Sequence, residues 1–200
     1  MKSKINYRAY SAELVGTFLL AFMVHLSVGG NLPVPTPVIA GLTLGLIVYL
    51  FGAISGAHVN PAVTIALASI GKISPKDAGA YLVAQFIGGF IAFLAGDALL
   101  GTNLFVVIEN TPMIAVAEAV GAAILVLGVS SVVHGKAPAP ASGLTIGTSL
   151  ALGVLAASAQ SNGVVNPAVA LGIGSVSLAY VLGPIAGGLI AAWGYRALVR

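Results

Sequence analysis

Long apolar runs make up most of this chain, and its polar residues are concentrated in the short segments between them. An apolar run of about 20 residues is long enough for a helix to cross the hydrocarbon core of a bilayer. The first three runs cover residues 9–28, 37–54 and 78–99, and three more follow from Pro112 onwards. The pattern therefore predicts an all-α membrane protein with six transmembrane helices.

Two short segments interrupt this pattern in an unusual way. Residues 55–60 include a glycine and three polar residues, too polar for contact with lipid, and a short apolar segment, 61–70, begins at Pro61. Proline is favoured at the first position of a helix, where its missing N–H costs no hydrogen bond. The motif Asn-Pro-Ala-Val of 60–63 recurs at 166–169.

An Asn-Pro pair in an apolar run is costly, because Asn needs hydrogen-bond partners and Pro lacks a backbone donor. Ten helical residues rise about 15 Å, half of the roughly 30 Å hydrocarbon core. Two such half-helices that enter from opposite faces would meet near the midplane, which is typical of channels and transporters built from inverted repeats.

The second half of the chain repeats the first. Ala-Glu-Leu-Val-Gly at 12–16 corresponds to Ala-Glu-Ala-Val-Gly at 117–121, and Gly-Leu-Thr-Leu-Gly at 41–45 corresponds to Gly-Leu-Thr-Ile-Gly at 143–147. Because each half has an odd number of spans, three, the second half is inverted relative to the first in the membrane. We expect one domain over residues 1–200, with inverted 3+3 repeats at about 1–100 and 112–200.

Composition excludes a soluble protein. Hydrophobic residues make up 58% of the chain and charged residues 6%, against about 25% charged in soluble domains. Cysteine is absent, which excludes disulfides and thiolate metal sites.

The net charge of +3 does not point to nucleic acid, because the basic residues all lie on one side of the membrane. They are Lys2, Lys4 and Arg8 before the first span, Lys72 and Lys76 between the second and third, Lys136 between the fourth and fifth, and Arg196 and Arg200 at the end. The opposite side carries Glu109 and Asp97. The positive-inside rule predicts a multi-pass protein of the cell membrane with both termini in the cytoplasm.

The segment Ser-Gly-Ala-His-Val-Asn-Pro-Ala-Val-Thr at 55–64 is a full copy of the first signature of the aquaporins, the major intrinsic protein family. The chain resembles this family over essentially its whole length, including the second Asn-Pro-Ala triplet and the Glu in spans one and four. The resemblance implies an aquaporin-like fold, a homotetramer with one pore per protomer, and passive conduction of water or small neutral solutes without a cofactor.

The two triplets are the predicted pore residues: Asn60, Pro61, Ala62, Asn166, Pro167 and Ala168. Each Asn amide would donate a hydrogen bond to a passing molecule, and the half-helix dipoles would repel protons and cations. The alternative is that each Asn only caps its half-helix.

Glu13 and Glu118 are intramembrane carboxyls, which are functional or structural by default. The resemblance favours structural support, in which they accept hydrogen bonds from the backbone before each triplet; a proton relay is the alternative. Gln85 is interpreted as a buried polar contact of the same kind. His58 either lines a vestibule or makes a structural hydrogen bond, and His25 is interpreted as a satisfied packing residue. No His/Glu cluster has metal spacing.

The sequence departs from the family pattern after the second triplet, where most aquaporins carry Arg and this chain has Val169. The other filter positions align with Ala40, Val154 and Gly163. The resemblance thus predicts a wide apolar filter that passes glycerol, urea or ammonia together with water.

Three other functions stay open at this point. The protein could be a strict water channel, a proton-coupled transporter that uses Glu13 and Glu118, or a non-conducting structural membrane protein. An enzyme is not predicted, because no nucleophile or acid–base pair emerges.

Overall fold

The computed structural model describes residues 6–30 and 32–200, so Lys2 and Lys4 lie outside the described residues. Within these residues the chain is helical and contains no strand. The helices are α1 (Tyr7–Gly29), α2 (Thr36–Ser55), α3 (Pro61–Ser69), α4 (Pro75–Leu100), α5 (Pro112–Val133), α6 (Ser142–Ala157), α7 (Pro167–Gly172) and α8 (Leu178–Leu198), with a 3₁₀ turn, Ala139–Ala141, before α6.

Six of the described helices are long and apolar enough to cross a membrane: α1, α2, α4, α5, α6 with its preceding turn, and α8. This confirms the predicted all-α membrane fold. Two differences stand out: α7 has 6 residues where a half-helix of about ten is expected, and α4 begins at Pro75 rather than near residue 78. Ser74 caps this helix by accepting a hydrogen bond from the Asp77 N–H at 3.1 Å, so the helix includes a polar first turn that hydropathy alone leaves out.

The outward-facing surface of the bundle is apolar. Leu42, Leu144 and Ile190 are 70%, 64% and 72% exposed. Large exposed apolar surfaces on a protein mark contact with lipid or with partners. Glu13, Gln85 and other polar side chains are instead fully buried inside, which is the distribution expected of a membrane protein.

Glycines allow the long helices to approach closely. A Cβ at Gly147 in α6 would overlap the Gly41 carbonyl of α2, and one at Gly187 in α8 would overlap the Ala119 carbonyl of α5. Lipid gives apolar helices little reason to associate, so small residues that bring backbones into van der Waals contact stabilise such pairs. The same contact joins α4 to α1, where Gly88 faces the Leu14 carbonyl.

The half-helices α3 and α7 pack against long helices of the opposite half of the chain. α3 lies against α8, and α7 lies against α4 and α1. Each begins with an Asn cap and a Pro at the first helical position. We refer to the end of the bundle that carries Lys72, Lys136 and Arg196 as the basic end, and to the other as the opposite end.

Candidate functional site

The amino ends of α3 and α7 are joined by reciprocal hydrogen bonds. Asn60 Nδ2 donates to the Val165 carbonyl at 3.0 Å, and Asn166 Nδ2 donates to the Val59 carbonyl at 2.9 Å. Each Oδ1 also caps its own half-helix, with Asn60 accepting from the Ala62 N–H at 2.9 Å and Asn166 from the Ala168 N–H at 3.0 Å. The two asparagines therefore both cap the half-helices and connect them tip to tip.

An unusual backbone conformation precedes each triplet. Val59 has φ 41° and Val165 has φ 59°, values in the left-handed region that cost a β-branched residue on the order of 1–3 kcal/mol. This conformation directs each valine carbonyl to the Asn of the other half-helix. It persists only because the surrounding hydrogen bonds hold it.

Glu13 supplies those hydrogen bonds before the first triplet. Its carboxyl oxygens accept from the backbone N–H groups of His58 at 2.9 Å and Val59 at 2.7 Å. They also accept from Ser55 Oγ and from Gln85 Nε2, each at 2.7 Å. The predicted structural residues Glu13 and Gln85 thus lie together beneath the non-helical segment.

Glu118 makes the corresponding contacts in the second half. Its oxygens accept from the N–H groups of Val164 at 2.9 Å and Val165 at 2.5 Å, and from Ser161 Oγ at 2.7 Å. The position that corresponds to Gln85 is Pro184, which has no side-chain donor. Glu118 is accordingly held by one fewer side chain than Glu13.

Two tyrosines extend this support and were not singled out from the sequence. Tyr81 donates from its hydroxyl to the Ser55 carbonyl at 2.7 Å, and the Tyr180 hydroxyl accepts from the Asn162 N–H at 3.0 Å. Both follow the repeat, since they occupy corresponding positions 99 residues apart. Their matching positions in the repeat are the feature of the sequence from which these two tyrosines could have been predicted.

The four predicted filter residues, Ala40, Val154, Gly163 and Val169, line one cavity towards the opposite end of the bundle. We call it the filter cavity. Its volume for the centres of water-sized molecules is about 30 Å³. The sequence did not indicate the larger apolar side chains that share its wall, which are Leu20, Val24, Leu150 and Ile173.

Gly163 is required at its position in this cavity. It has φ 63°, and a Cβ there would lie 2.8 Å from the Val154 carbonyl oxygen. The preceding residue, Asn162, points its amide at the Val107 carbonyl at 3.0 Å and Ser175 Oγ at 2.9 Å. These contacts hold the loop that precedes the second triplet.

Two further cavities follow towards the basic end, each sharing lining residues with the one before it. The central cavity is lined by both Asn60 and Asn166, has a volume of about 10 Å³ for the centres of water-sized molecules, and extends to His58. His58 also lines the basic-end cavity, whose volume is about 400 Å³. A single water needs roughly 10–15 Å³, so the central cavity is a constriction with room for about one water molecule.

His58 lies between two of the cavities and also has a side-chain hydrogen-bond partner. Its ring lines the central and basic-end cavities, and its Nδ1 lies 3.1 Å from Thr64 Oγ1. The Tyr81 ring packs edge-on against it with centroids 5.2 Å apart. These contacts hold the imidazole at the entrance to the constriction.

Comparison with known proteins agrees with this geometry. A family model described as "Major intrinsic protein" matches residues 1–195. The chain is 33% identical over 210 residues to "Probable aquaporin NIP7-1" of Arabidopsis thaliana, covering 96% of this chain and 76% of the relative. It is 34% identical over 219 residues to "Glycerol uptake facilitator protein-like 6" of Lactiplantibacillus plantarum, covering 96% and 98%.

Among solved structures, the fold is similar to that of the aquaglyceroporin from Plasmodium falciparum. The TM-score is 0.77 at 20% sequence identity, and the match covers 98% of this chain and 97% of that one. At this identity the likeness establishes the fold.

Proposed function

Because this chain belongs to the major intrinsic protein family of aquaporin-like channels, a family of channels and not of enzymes, we propose that it conducts water together with small neutral solutes. The observation that carries this proposal is the largely apolar filter cavity, whose lining, among the described residues, contains no charged residue and includes Val169, at the position where most members of the family carry Arg. A wall without a charged group neither binds nor rejects a neutral solute through charge. The pore would therefore select mainly by size.

The paired asparagines support conduction of water without protons. One N–H of each amide is used by a backbone carbonyl, which leaves the second for a water oxygen. The amino ends of α3 and α7 add partial positive charge at the same level. A water that accepts there turns its hydrogens away from the constriction, and cations are repelled.

The size of the filter cavity supports an order of permeability. With about 30 Å³ for the centres of water-sized molecules, ammonia should pass most easily, urea less so and glycerol least. The four small filter residues alone would leave a wider opening, but four larger side chains narrow the cavity: Leu20, Val24, Leu150 and Ile173.

The hydrogen bonds of Glu13 and Glu118 favour a structural role over a proton relay. Both oxygens of each carboxyl accept from backbone N–H groups before a triplet. A relay would need one of these oxygens to exchange protons with a neighbour during transport. Doing so would release a strained backbone segment.

We further propose that the protein is a homotetramer in the cell membrane with both termini in the cytoplasm. The family resemblance supports the assembly, and the placement of every Lys and Arg on one side supports the orientation. The corresponding contacts of Glu13 and Glu118 support one domain built from inverted repeats at about 1–100 and 112–200.

The purified protein in liposomes tests this function through stopped-flow swelling in gradients of ammonia, urea and glycerol. We expect rates several-fold above protein-free liposomes, in the order ammonia, urea, glycerol, with the urea and glycerol rates independent of any pH gradient. Water flux with exclusion of all three solutes would instead indicate a strict water channel. Urea or glycerol flux that requires a pH gradient would indicate a transporter, and absence of flux a structural protein.

A further inference from the structure

A buried histidine contacts the carboxyl end of α7. The His25 ring in α1 is fully buried, and its Nδ1 lies 2.9 Å from the carbonyl oxygen of Gly172, the last residue of α7. A carbonyl oxygen can only accept, so Nδ1 carries the hydrogen. His25 therefore does more than fill space between helices.

Asp97 of α4 lies against the other side of this ring. Asp97 Oδ1 is 3.2 Å from His25 Nε2, without the alignment of a hydrogen bond. The same oxygen accepts from the Leu104 N–H at 2.8 Å. A Cβ at Gly96 would overlap the His25 ring, so α4 provides both the partner and the space for the histidine.

The half-helix α3 has a similar restraint at its carboxyl end. Arg196 Nη1 donates to the Ile70 carbonyl at 3.2 Å, and Trp193 Nε1 donates to Ser69 Oγ at 3.1 Å. Asp97 and Arg196 are 99 residues apart, the same separation as Tyr81 and Tyr180. Each half-helix is thus tied at its carboxyl end by a long helix from the other half of the chain.

The physical basis is the charge of a helix end. The last carbonyls of a helix lack intrahelical partners and carry partial negative charge, so a donor placed there stabilises the helix. The short α7, Pro167–Gly172, has little internal hydrogen bonding of its own. It depends on restraints at both ends, which are Asn166 at the amino end and His25 at the carboxyl end.

These contacts lie next to the filter cavity. Val24 and Ile173, the chain neighbours of His25 and Gly172, both line it. Val169 also lines it and lies one helical turn before Gly172, with its carbonyl accepting from the Ile173 N–H at 3.0 Å. Movement of the Gly172 carbonyl would therefore displace Val169 and Ile173 together.

We propose that His25, packed between Asp97 and the end of α7, is a positioning residue that keeps Val169 and Ile173 in place and thereby sets the solute selectivity of the pore. The proposal rests on the function proposed above for the filter cavity. It assigns to the His25–Asp97 pair a role in the pore without direct contact with the solute.

Hydrogen exchange of the full-length protein in nanodiscs tests the positioning itself. His25→Leu removes the donor at similar size, and His25→Gln retains an amide donor. The matched control is Ser130→Ala, because Ser130 lies 105 residues after His25, as Glu118 does after Glu13, and is also fully buried.

We expect His25→Leu to accelerate exchange several-fold in residues 170–176 and to leave 61–70 unchanged, since local restraints govern local opening. His25→Gln and Ser130→Ala should behave as the native protein does. Unchanged exchange at 170–176, or equal acceleration in both half-helices, would overturn the proposal.

Flux measurements then separate positioning from general stability. In His25→Leu the ratio of glycerol to water permeability should rise several-fold, because a loosened α7 admits the larger solute, and His25→Gln should restore the native ratio. Equal loss of both fluxes would contradict the role in selectivity. If the native protein passes no neutral solute, the proposed solute range fails, while the exchange experiment still decides the role of His25.

Discussion

Replacing Val169 by arginine is expected to lower urea permeability roughly tenfold, equivalent to about 1.4 kcal/mol in barrier height, while water permeability falls much less. Val169 lines the filter cavity together with Ala40, Val154 and Gly163. A guanidinium placed among these small residues would occupy much of the limited space. A single water could still pass the guanidinium by accepting hydrogen bonds from it, whereas the remaining space would be too small for urea.

Stopped-flow measurement of urea and water permeability in proteoliposomes checks this expectation. Val169→Ala is the matched control, since it enlarges the cavity without adding charge and should raise glycerol permeability. Equal reductions of urea and water flux in correctly folded Val169→Arg protein would show that Val169 does not form the constriction for solutes.

Removing the Glu118 carboxyl is expected to give a large loss of stability. Glu118→Ala leaves the buried Val164 and Val165 N–H groups without their acceptor, while the Ser161 hydroxyl keeps its hydrogen bond to the Ala157 carbonyl. Each unsatisfied buried group costs roughly 1–3 kcal/mol, so the free energy of unfolding should fall by several kcal/mol. The strained conformation of Val165, at φ 59°, would then have no hydrogen bond from α5 to maintain it.

Thermal unfolding in detergent measures this loss, with Glu109→Gln in the exposed loop as the control. Glu118→Gln should also be destabilised, though less, because its amide keeps one acceptor oxygen and brings two hydrogens towards groups that are themselves donors. A Glu118→Gln protein that is fully stable but does not conduct would instead support a proton relay.

Much of this fold follows from the sequence because a bilayer imposes strict rules. Apolar runs of the required length have few alternatives to membrane-spanning helices. An Asn-Pro pair is costly in such a run, so two copies at corresponding positions indicate a common function. The intramembrane Glu13 and Glu118 stand out for the same reason, as charged groups in apolar surroundings.

The details of the filter cavity could not be predicted in this way. Leu20 and Leu150 line it, yet leucines that face a pore and leucines that face lipid look alike in a sequence. The small residues at the four filter positions indicate where the wall of the pore is set back. The volume of the filter cavity, however, depends on every side chain that lines it.

His25 and Asp97 illustrate a second limit. They are 72 residues apart, and the position corresponding to His25 in the second half is Ser130, so the repeat gives no signal for this pair. The contact arises only when α1, α4 and α7 pack together. Tyr81 and Tyr180, by contrast, could have been selected from the repeat.

The function proposed for this chain requires that α3 and α7, which meet at Asn60 and Asn166, border a continuous passive pore. Osmotic shrinkage of proteoliposomes, followed by stopped-flow light scattering, tests this requirement. We expect liposomes containing the native protein to shrink much faster than protein-free liposomes, at a rate that neither a pH gradient nor a membrane potential changes. Shrinkage at the protein-free rate, by correctly folded and inserted protein, would contradict it.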